Sequence, residues 1–218
     1  MTPVAVFVKT PGLSPIKTRL AGSIGRLKAE QFYQVCCRWT EEVLIEAQKR
    51  VSMKPFWAVA ETQGMKSEIW KTFDKIEQGE GNLGERLNCV YQKMQREFGK
   101  AIVLGADSPE LSSDWIVSAV KEVEQASQPK FVLGKTLDGG FYLFGGNRSL
   151  SKTLWTSISY SENTTGEELK RAVAAEGEVV ELPWGADVDW VQDLQLVMSR
   201  LKQNDYQKYS ALLALQLI

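Results

Sequence analysis

Ala101-Ile102-Val103-Leu104-Gly105-Ala106-Asp107-Ser108-Pro109-Glu110-Leu111 is the stretch from which the fold reads outward. A short apolar run closed by glycine predicts a buried strand, and the carboxylate of Asp107 then falls where that strand leaves its sheet. In open α/β sheets the carboxyl edge of the strands is where ligands bind. A carboxylate at that edge suits a hard divalent cation held beside phosphate oxygens. Asp, Ser and Pro also initiate turns for purely local reasons, so Asp107 reads equally as a turn residue from this stretch alone.

Upstream, Val4-Ala5-Val6-Phe7-Val8 is a second continuous β-rich run, and Pro55-Phe56-Trp57-Ala58-Val59-Ala60-Glu61 a third. Between them Leu27, Phe32, Val35, Cys36, Trp39, Val43 and Ala47 recur at steps of three and four, the stripe of an amphipathic helix. Residues 67–73 predict a short helix. Leu87, Val90, Tyr91, Met94 and Phe98 mark another helix, and Ile116, Ala119, Val120 and Val123 a further one capped by Ser112 or Ser113. Phe131-Val132-Leu133-Gly134 and Val179-Val180-Glu181-Leu182 are later strands, and two helices, 190–202 and 206–217, close the chain. Strands alternating with helices predict βαβ units, a mainly parallel sheet flanked by helices, and one domain over 1–218.

The polar residues gather at the predicted strand ends. Lys9, Lys17 and Arg19 follow the first strand in a loop held out of helix by Pro11, Gly12 and Pro15, which reads as an anion cradle or as a solvated basic loop. The glycines of Gly79-Glu80-Gly81-Asn82-Leu83-Gly84-Glu85-Arg86 suggest close approach to a ligand, although Glu85 and Arg86 also suit the polar start of a helix. Asp138-Gly139-Gly140 between two apolar runs reads as a hairpin turn, or as a backbone opened so that Asp138 nears a ligand. Thr165-x-x-Glu168 has capping-box spacing, as does the pair Asp189 and Gln192. Asp187 and Asp189, flanking one residue after the last strand, would also serve as ligands to a metal or to phosphate-bound water.

Composition narrows the chemistry. Of 218 residues, 44% are hydrophobic and 24% charged, ordinary for a soluble globular protein. Lys and Arg number 26 against 27 Asp and Glu, so no global field favours nucleic acid or an anionic membrane. There is no histidine, which excludes imidazole as base, nucleophile or ligand. Cys36, Cys37 and Cys89 have neither zinc nor disulfide spacing, so a reduced, cytoplasmic setting is expected. The apolar start of the chain is too short for a signal peptide and reads as the first strand.

Taken together, the loop ending Lys17-Thr18-Arg19-Leu20, the block Gly81-Asn82-Leu83-Gly84-Glu85-Arg86-Leu87, the block 105–111, Asp138-Gly139-Gly140-Phe141-Tyr142-Leu143 and Asp187-Val188-Asp189 resemble a family of bacterial glycosyltransferase A-like proteins. That family is related in fold to nucleotide-diphospho-sugar transferases and to molybdenum-cofactor and phospholactate guanylyltransferases. The resemblance implies a nucleotide over the first strand's loop, with Lys9, Lys17, Arg19, Gly84, Glu85 and Arg86 as its candidate contacts. It implies Mg2+ or Mn2+ on Asp107 with Asp187 or Asp189, and Asp138 beside the transferred group with Gly139 and Gly140 against the substrate. The chain departs from the family pattern at Ser14, Pro15, Asn82 and Tyr160, and lacks the second Asp of a full Asp-x-Asp motif.

The function so implied is metal-dependent transfer of a glycosyl group from a nucleotide-sugar to a small-molecule acceptor, with neither nucleic acid nor a membrane span involved. A nucleotidyltransferase that joins an NTP to a phosphorylated acceptor and releases pyrophosphate is the alternative, and a catalytically silent nucleotide-binding protein the third. Neither the acceptor nor the oligomeric state is readable from the sequence.

Overall fold

The apolar runs do become the middle of a sheet. In the computed structural model, which describes residues 1–217, seven strands pair in the order β3-β2-β1-β4-β6-β5-β7. These are β1 (Thr2–Val8), β2 (Met53–Val59), β3 (Asp74–Glu77), β4 (Ala101–Gly105), β5 (Lys130–Lys135), β6 (Phe141–Gly146) and β7 (Glu178–Glu181). All neighbours are parallel except β6, which runs antiparallel to both β4 and β5. The sheet is mainly parallel and mixed, as expected.

Among the described residues eight α-helices connect and cover it: α1 (Thr18–Ile24), α2 (Arg26–Gln48), α3 (Leu83–Phe98), α4 (Ser113–Gln125), α5 (Lys152–Ser157), α6 (Thr165–Ala174), α7 (Val191–Asn204) and α8 (Tyr206–Ala214). The two-residue period of a strand divides the core between two faces. Val4, Val6 and Val8 of β1 meet Tyr33, Cys37 and Leu44 of α2 and Ile116 and Val120 of α4. Ala5 points the other way, into Leu87, Val90 and Met94 of α3, Trp155 of α5 and Leu169 of α6. A third cluster joins Leu20, Phe32 and Cys36 to Leu194, Val197 and Leu212 of the terminal helices. The paired cysteines are therefore packing residues on two sides of α2, while Leu27, counted in its apolar stripe, stands 77% exposed.

Two expectations fail locally, and one short helix carries no signal in the sequence. Residues 67–73 are not one helix: two 3-10 turns, Thr62–Lys66 and Glu68–Trp70, lead into β3. That edge strand is short and half-exposed, with Asp74, Lys75 and Glu77 on it, so it lacks the alternation that identifies a strand. Trp70 packs on Trp57 at 5.0 Å between ring centroids and donates its indole N–H to Thr10 Oγ1 at 3.0 Å. Helix α5, too short to show a period, went unread; Ser151 caps it. The Thr165-x-x-Glu168 box does not form, because the helix is entered at Thr164. Glu168 takes a bond from the Thr164 hydroxyl (2.8 Å) and another from the Ser159 N–H (2.9 Å).

Candidate active site

The reversed direction of β6 matters for the site. Because β6 enters the sheet at the edge where β1, β4 and β5 leave it, the Asp138 turn joins the loops after β1 and β4 on one side of the molecule. The segment after β7 arrives there as well, held by Gly185 N–H to Lys135 O (2.9 Å) and Leu137 N–H to Gly185 O (3.1 Å). Asp187 and Asp189 follow directly. Residues remote in sequence thus converge on the carboxyl edge.

Lys17 is the centre of this edge. It sits in the left-handed region (φ 44°, ψ 48°), a conformation that costs a non-glycine residue about 1 kcal/mol or more. That backbone turns its side chain inward until only 5% is exposed, with Nζ 2.5 Å from Asp107 Oδ2 and 2.9 Å from Asp189 Oδ1. Burial pulls the ammonium pKa down, yet Asp107, Asp189 and Asp187 together outweigh it and hold the group well above its usual range. Arg19 pairs with the other oxygen of Asp189 at 3.0 Å and lies over the Trp190 ring, 5.7 Å from its centroid. Burial raises the pKa of Asp189, but Lys17 and Arg19 outweigh it and hold the carboxyl below the ordinary range.

Asp187 is the opposite case. It is partly buried, faces Asp107, and has its carboxyl pKa pushed well above normal, first by desolvation and then by repulsion from Asp107. Lys17 and a hydrogen bond from the Ser108 hydroxyl to Oδ1 oppose this without cancelling it. The pair Asp107 and Asp187 therefore leaves negative charge incompletely balanced.

Two adjoining chambers open from this edge, sharing Phe7, Arg19, Leu83, Gly105, Ser161 and Asp189 as their common wall. The larger, about 630 Å³, lies over the end of β1 and is lined also by Lys9, Lys17, Tyr33, Gln78 and Asp107. The smaller, about 350 Å³, lies over β4 and β6 and includes Asp138, Gly140, Phe141, Glu162, Asp187 and Trp190. Ser161, at the shared wall, is another non-glycine residue with positive φ (65°).

Not every residue singled out from the sequence reaches these chambers. Lys9 lines the larger one, its backbone N–H on the Tyr33 hydroxyl at 2.8 Å. Gly84 does not: it is buried where a Cβ would come 2.5 Å from the Trp155 carbonyl oxygen, so its smallness lets α3 pack on α5. Glu85 forms the capping box of α3 with Asn82 and pairs with Lys152 at 3.1 Å, away from both chambers. Arg86 donates to Gly81 O (3.0 Å) and stands behind Gln78 rather than in the cavity. Asp138 and Gly139 do form the hairpin turn; Asp138 Oδ1 takes bonds from Gly140 N (3.1 Å) and the Thr136 hydroxyl (2.5 Å), and the same turn puts Asp138 and Gly140 in the smaller chamber. Gly139 (φ 90°) packs against the Asn163 carbonyl, where no Cβ fits, and its own carbonyl takes the Gly166 N–H at 2.8 Å. Asp189 does not cap α7 with Gln192: Asp193 Oδ2 accepts the Asp189 and Trp190 N–H groups (3.0 and 2.7 Å), which frees the Asp189 carboxylate for Lys17 and Arg19.

Gln78, Glu162 and Trp190 carry no sequence signal that would have marked them. Gln78 is buried at the end of β3, spending its amide on Val8 O and Ala58 O (3.2 and 2.8 Å) and aiming the rest of its amide group at Arg86 and the larger chamber. Among the described residues no group of three or more Cys, Asp and Glu side chains is close enough to enclose a metal by itself.

Residues 42–162 match the profile of a family described as uncharacterized protein conserved in bacteria, DUF2064. The chain belongs to that family. The DUF2064 match spans α2 through the Asp107 block and the Asp138 turn, and stops short of Lys17, Asp187 and Asp189 on either side. A comparison with curated proteins gives no match. Among solved structures, a proposed nucleotide-diphospho-sugar transferase from Desulfovibrio desulfuricans G20 superposes with a TM-score of 0.83 at 23% identity, covering 98% of this chain and 94% of that one. A 4-diphosphocytidyl-2C-methyl-D-erythritol synthase from Anaerococcus prevotii DSM 20548 gives 0.55 at 9% identity over 92% and 98% of the two chains. A nucleotidyl transferase from Methanothermobacter gives 0.52 at 13% over 94% and 99%. This DUF2064 protein has the fold of the nucleotide-diphospho-sugar transferases.

Proposed function

We propose that this chain is a metal-dependent transferase that binds a nucleotide diphospho-sugar across the two chambers and passes the glycosyl group to a small-molecule acceptor. The observation that carries this reading is the strained, buried Lys17 held between Asp107 and Asp189 beside the charge-unbalanced Asp187. Strained backbone and carboxylates with perturbed pKa values cluster at functional sites. The larger chamber has the cations and the volume for a nucleotide, and Arg19 at the shared wall would hold the diphosphate at the border of the smaller one.

The donor set fits Mg2+ or Mn2+. Asp107 and Asp187 are hard oxygen donors, and such ions need only one or two carboxylates when phosphate oxygens and water complete the shell. Asp189, with both oxygens taken by Lys17 and Arg19, is assigned to positioning those cations instead. When bound, the cation would neutralise charge on the departing diphosphate. The chain's own groups do the rest. Lys17 and Arg19 orient the phosphates, Ser108 keeps Asp187 turned inward, and Asp138, fixed by Thr136 and Gly140, faces the smaller chamber to take the acceptor's proton.

A thermal-shift screen against diphospho-sugars and nucleoside triphosphates, each with and without Mn2+, tests this. A ligand binding only the folded state stabilises it by about 2.7 kcal/mol at a hundred times its dissociation constant. The expected result is a metal-dependent shift with a diphospho-sugar that Asp107→Asn abolishes; an unchanged shift in that variant overturns the metal assignment. Nucleotidyl transfer is the second reading, favoured by the fold shared with the Anaerococcus and Methanothermobacter enzymes. It predicts a shift with a triphosphate and release of pyrophosphate. Binding without turnover of either kind of donor would leave a silent nucleotide-binding protein.

A further inference from the structure

The ionisable groups in the walls of the smaller chamber are mostly carboxylates. Asp138, Glu162, Asp187, Asp189 and Asp193 line it against the single cation Arg19. Most of these carboxylates have work elsewhere: Asp189 is held by Lys17 and Arg19, Asp193 accepts two backbone N–H groups at the start of α7, and Asp187 turns to Ser108 and Asp107. Asp138, whose turn bonds engage Oδ1 alone, and Glu162 remain. Neither has an ion-pair partner among the described residues, and each can accept hydroxyl protons. Arg19, the one positive group, is already paired with Asp189 and laid against Trp190. Beside the carboxylates stand aromatic faces: Phe141, Tyr160, fixed by its hydroxyl on the Trp155 carbonyl (2.9 Å), and the half-exposed Trp190.

We infer that the smaller chamber takes an unphosphorylated polyol, a sugar-like acceptor whose hydroxyls bond to Asp138 and Glu162 and whose apolar face lies on Trp190. Carboxylates read hydroxyl donors and repel phosphate, and an aromatic ring covers the C–H face of a sugar. A phosphorylated acceptor, which the nucleotidyl reading requires, would place its dianion among unpaired carboxylates. The inference rests on the transferase reading of the cleft and supplies what that reading leaves open, the chemical class of the acceptor.

Trp190 gives a local probe. Its emission is taken as the difference between the protein and the Trp190→Phe variant, and quenching is measured with acrylamide, caesium and iodide at equal ionic strength. Acrylamide and caesium should quench several-fold better than iodide, and the caesium preference should shrink in Asp138→Asn/Glu162→Gln, whose side chains are isosteric with the originals. Glucose should then protect Trp190 from acrylamide at concentrations at least tenfold below those needed with glucose 6-phosphate. Iodide quenching equal to caesium, protection by the phosphate at equal or lower concentration, or protection by neither sugar overturns the inference. No nucleotide is present, so a failed nucleotide screen leaves this result readable, and a failure here leaves nucleotide binding standing.

Discussion

Asp187 and Asp189 lie two residues apart and behave oppositely. For Asp187 the folded-state pKa is raised, so the folded protein is penalised once the pH exceeds the unfolded value of about 3.9. Asp187→Asn keeps the acceptor for Ser108 and removes the penalty. We expect the unliganded protein to gain about 1 kcal/mol at pH 7, a rise of about 2–4 °C in Tm, while the metal-dependent nucleotide shift disappears. A lower Tm would mean that Asp187 is stabilising in the absence of ligand. For Asp189 the sign reverses. Its folded pKa is depressed, so its stabilisation is present above the unfolded value and is lost as the pH falls through the folded one. With its carboxylate 36% exposed, the effect is about 1 kcal/mol at most. Asp189→Asn should therefore lower Tm at pH 7 by more than it does near pH 3, as melting curves at the two pH values would show. Lys17 could not be assigned from its neighbours in sequence, because the partners that explain its conformation are Asp107 and Asp189, far along the chain.

At the scale of elements, the terminal helices do more than pack. Lys208 of α8 donates to Pro109 O (2.8 Å) and Leu111 O (3.2 Å), and Arg200 of α7 grips Glu110 at 2.7 Å, so both helices brace the loop carrying Asp107 and Ser108. Lys208→Met removes two charge-assisted bonds and strands two carbonyls. A loss of about 1–3 kcal/mol and a weaker Mn2+-dependent nucleotide shift are expected, read by thermal melting with and without ligand. A variant that melts early yet shows the full ligand shift would separate stability from loop positioning. The Asp138 turn is braced comparably from α6. Gly139→Ala needs a strained φ and would set its Cβ 1.9 Å from the Asn163 oxygen, so the turn and the 160–165 segment must part. A cost of about 2 kcal/mol or more, with loss of the selective quenching at Trp190, is the expected outcome. The turn itself was legible from Asp138-Gly139-Gly140. Its clamp was not, since nothing in the sequence links Gly139 to Asn163.

For the whole molecule, β1 and β4 are the centre of the sheet, paired on both sides and covered on both faces, whereas β3 and β7 are short, half-exposed edges. Native-state hydrogen exchange should find the slowest amides in Val4, Val6, Ile102 and Leu104 and much faster ones in β3 and β7. Comparable protection at the edges would contradict this ordering. Among the described residues no helix is long and apolar enough to cross a membrane.

The chain by itself determined the strands of the sheet's interior, the long helices and the clustering of carboxylates and glycines at strand ends. Those features follow from local periodicity and from residue types that bias their own backbone. It also determined that no step here can use an imidazole, since the sequence has no histidine. Only the tertiary structure decided the roles. The reversal of β6 brings the Asp138 turn to the edge where β1 and β4 end, and a separation of 172 positions between Lys17 and Asp189 is closed to a 2.9 Å contact. Gly84 and Glu85 proved to be a packing glycine and a helix cap, because the same small or acidic residue suits a ligand and a helix start equally well. Spacing along the chain sets a residue's own backbone, but its charge environment belongs to whatever the fold places against it.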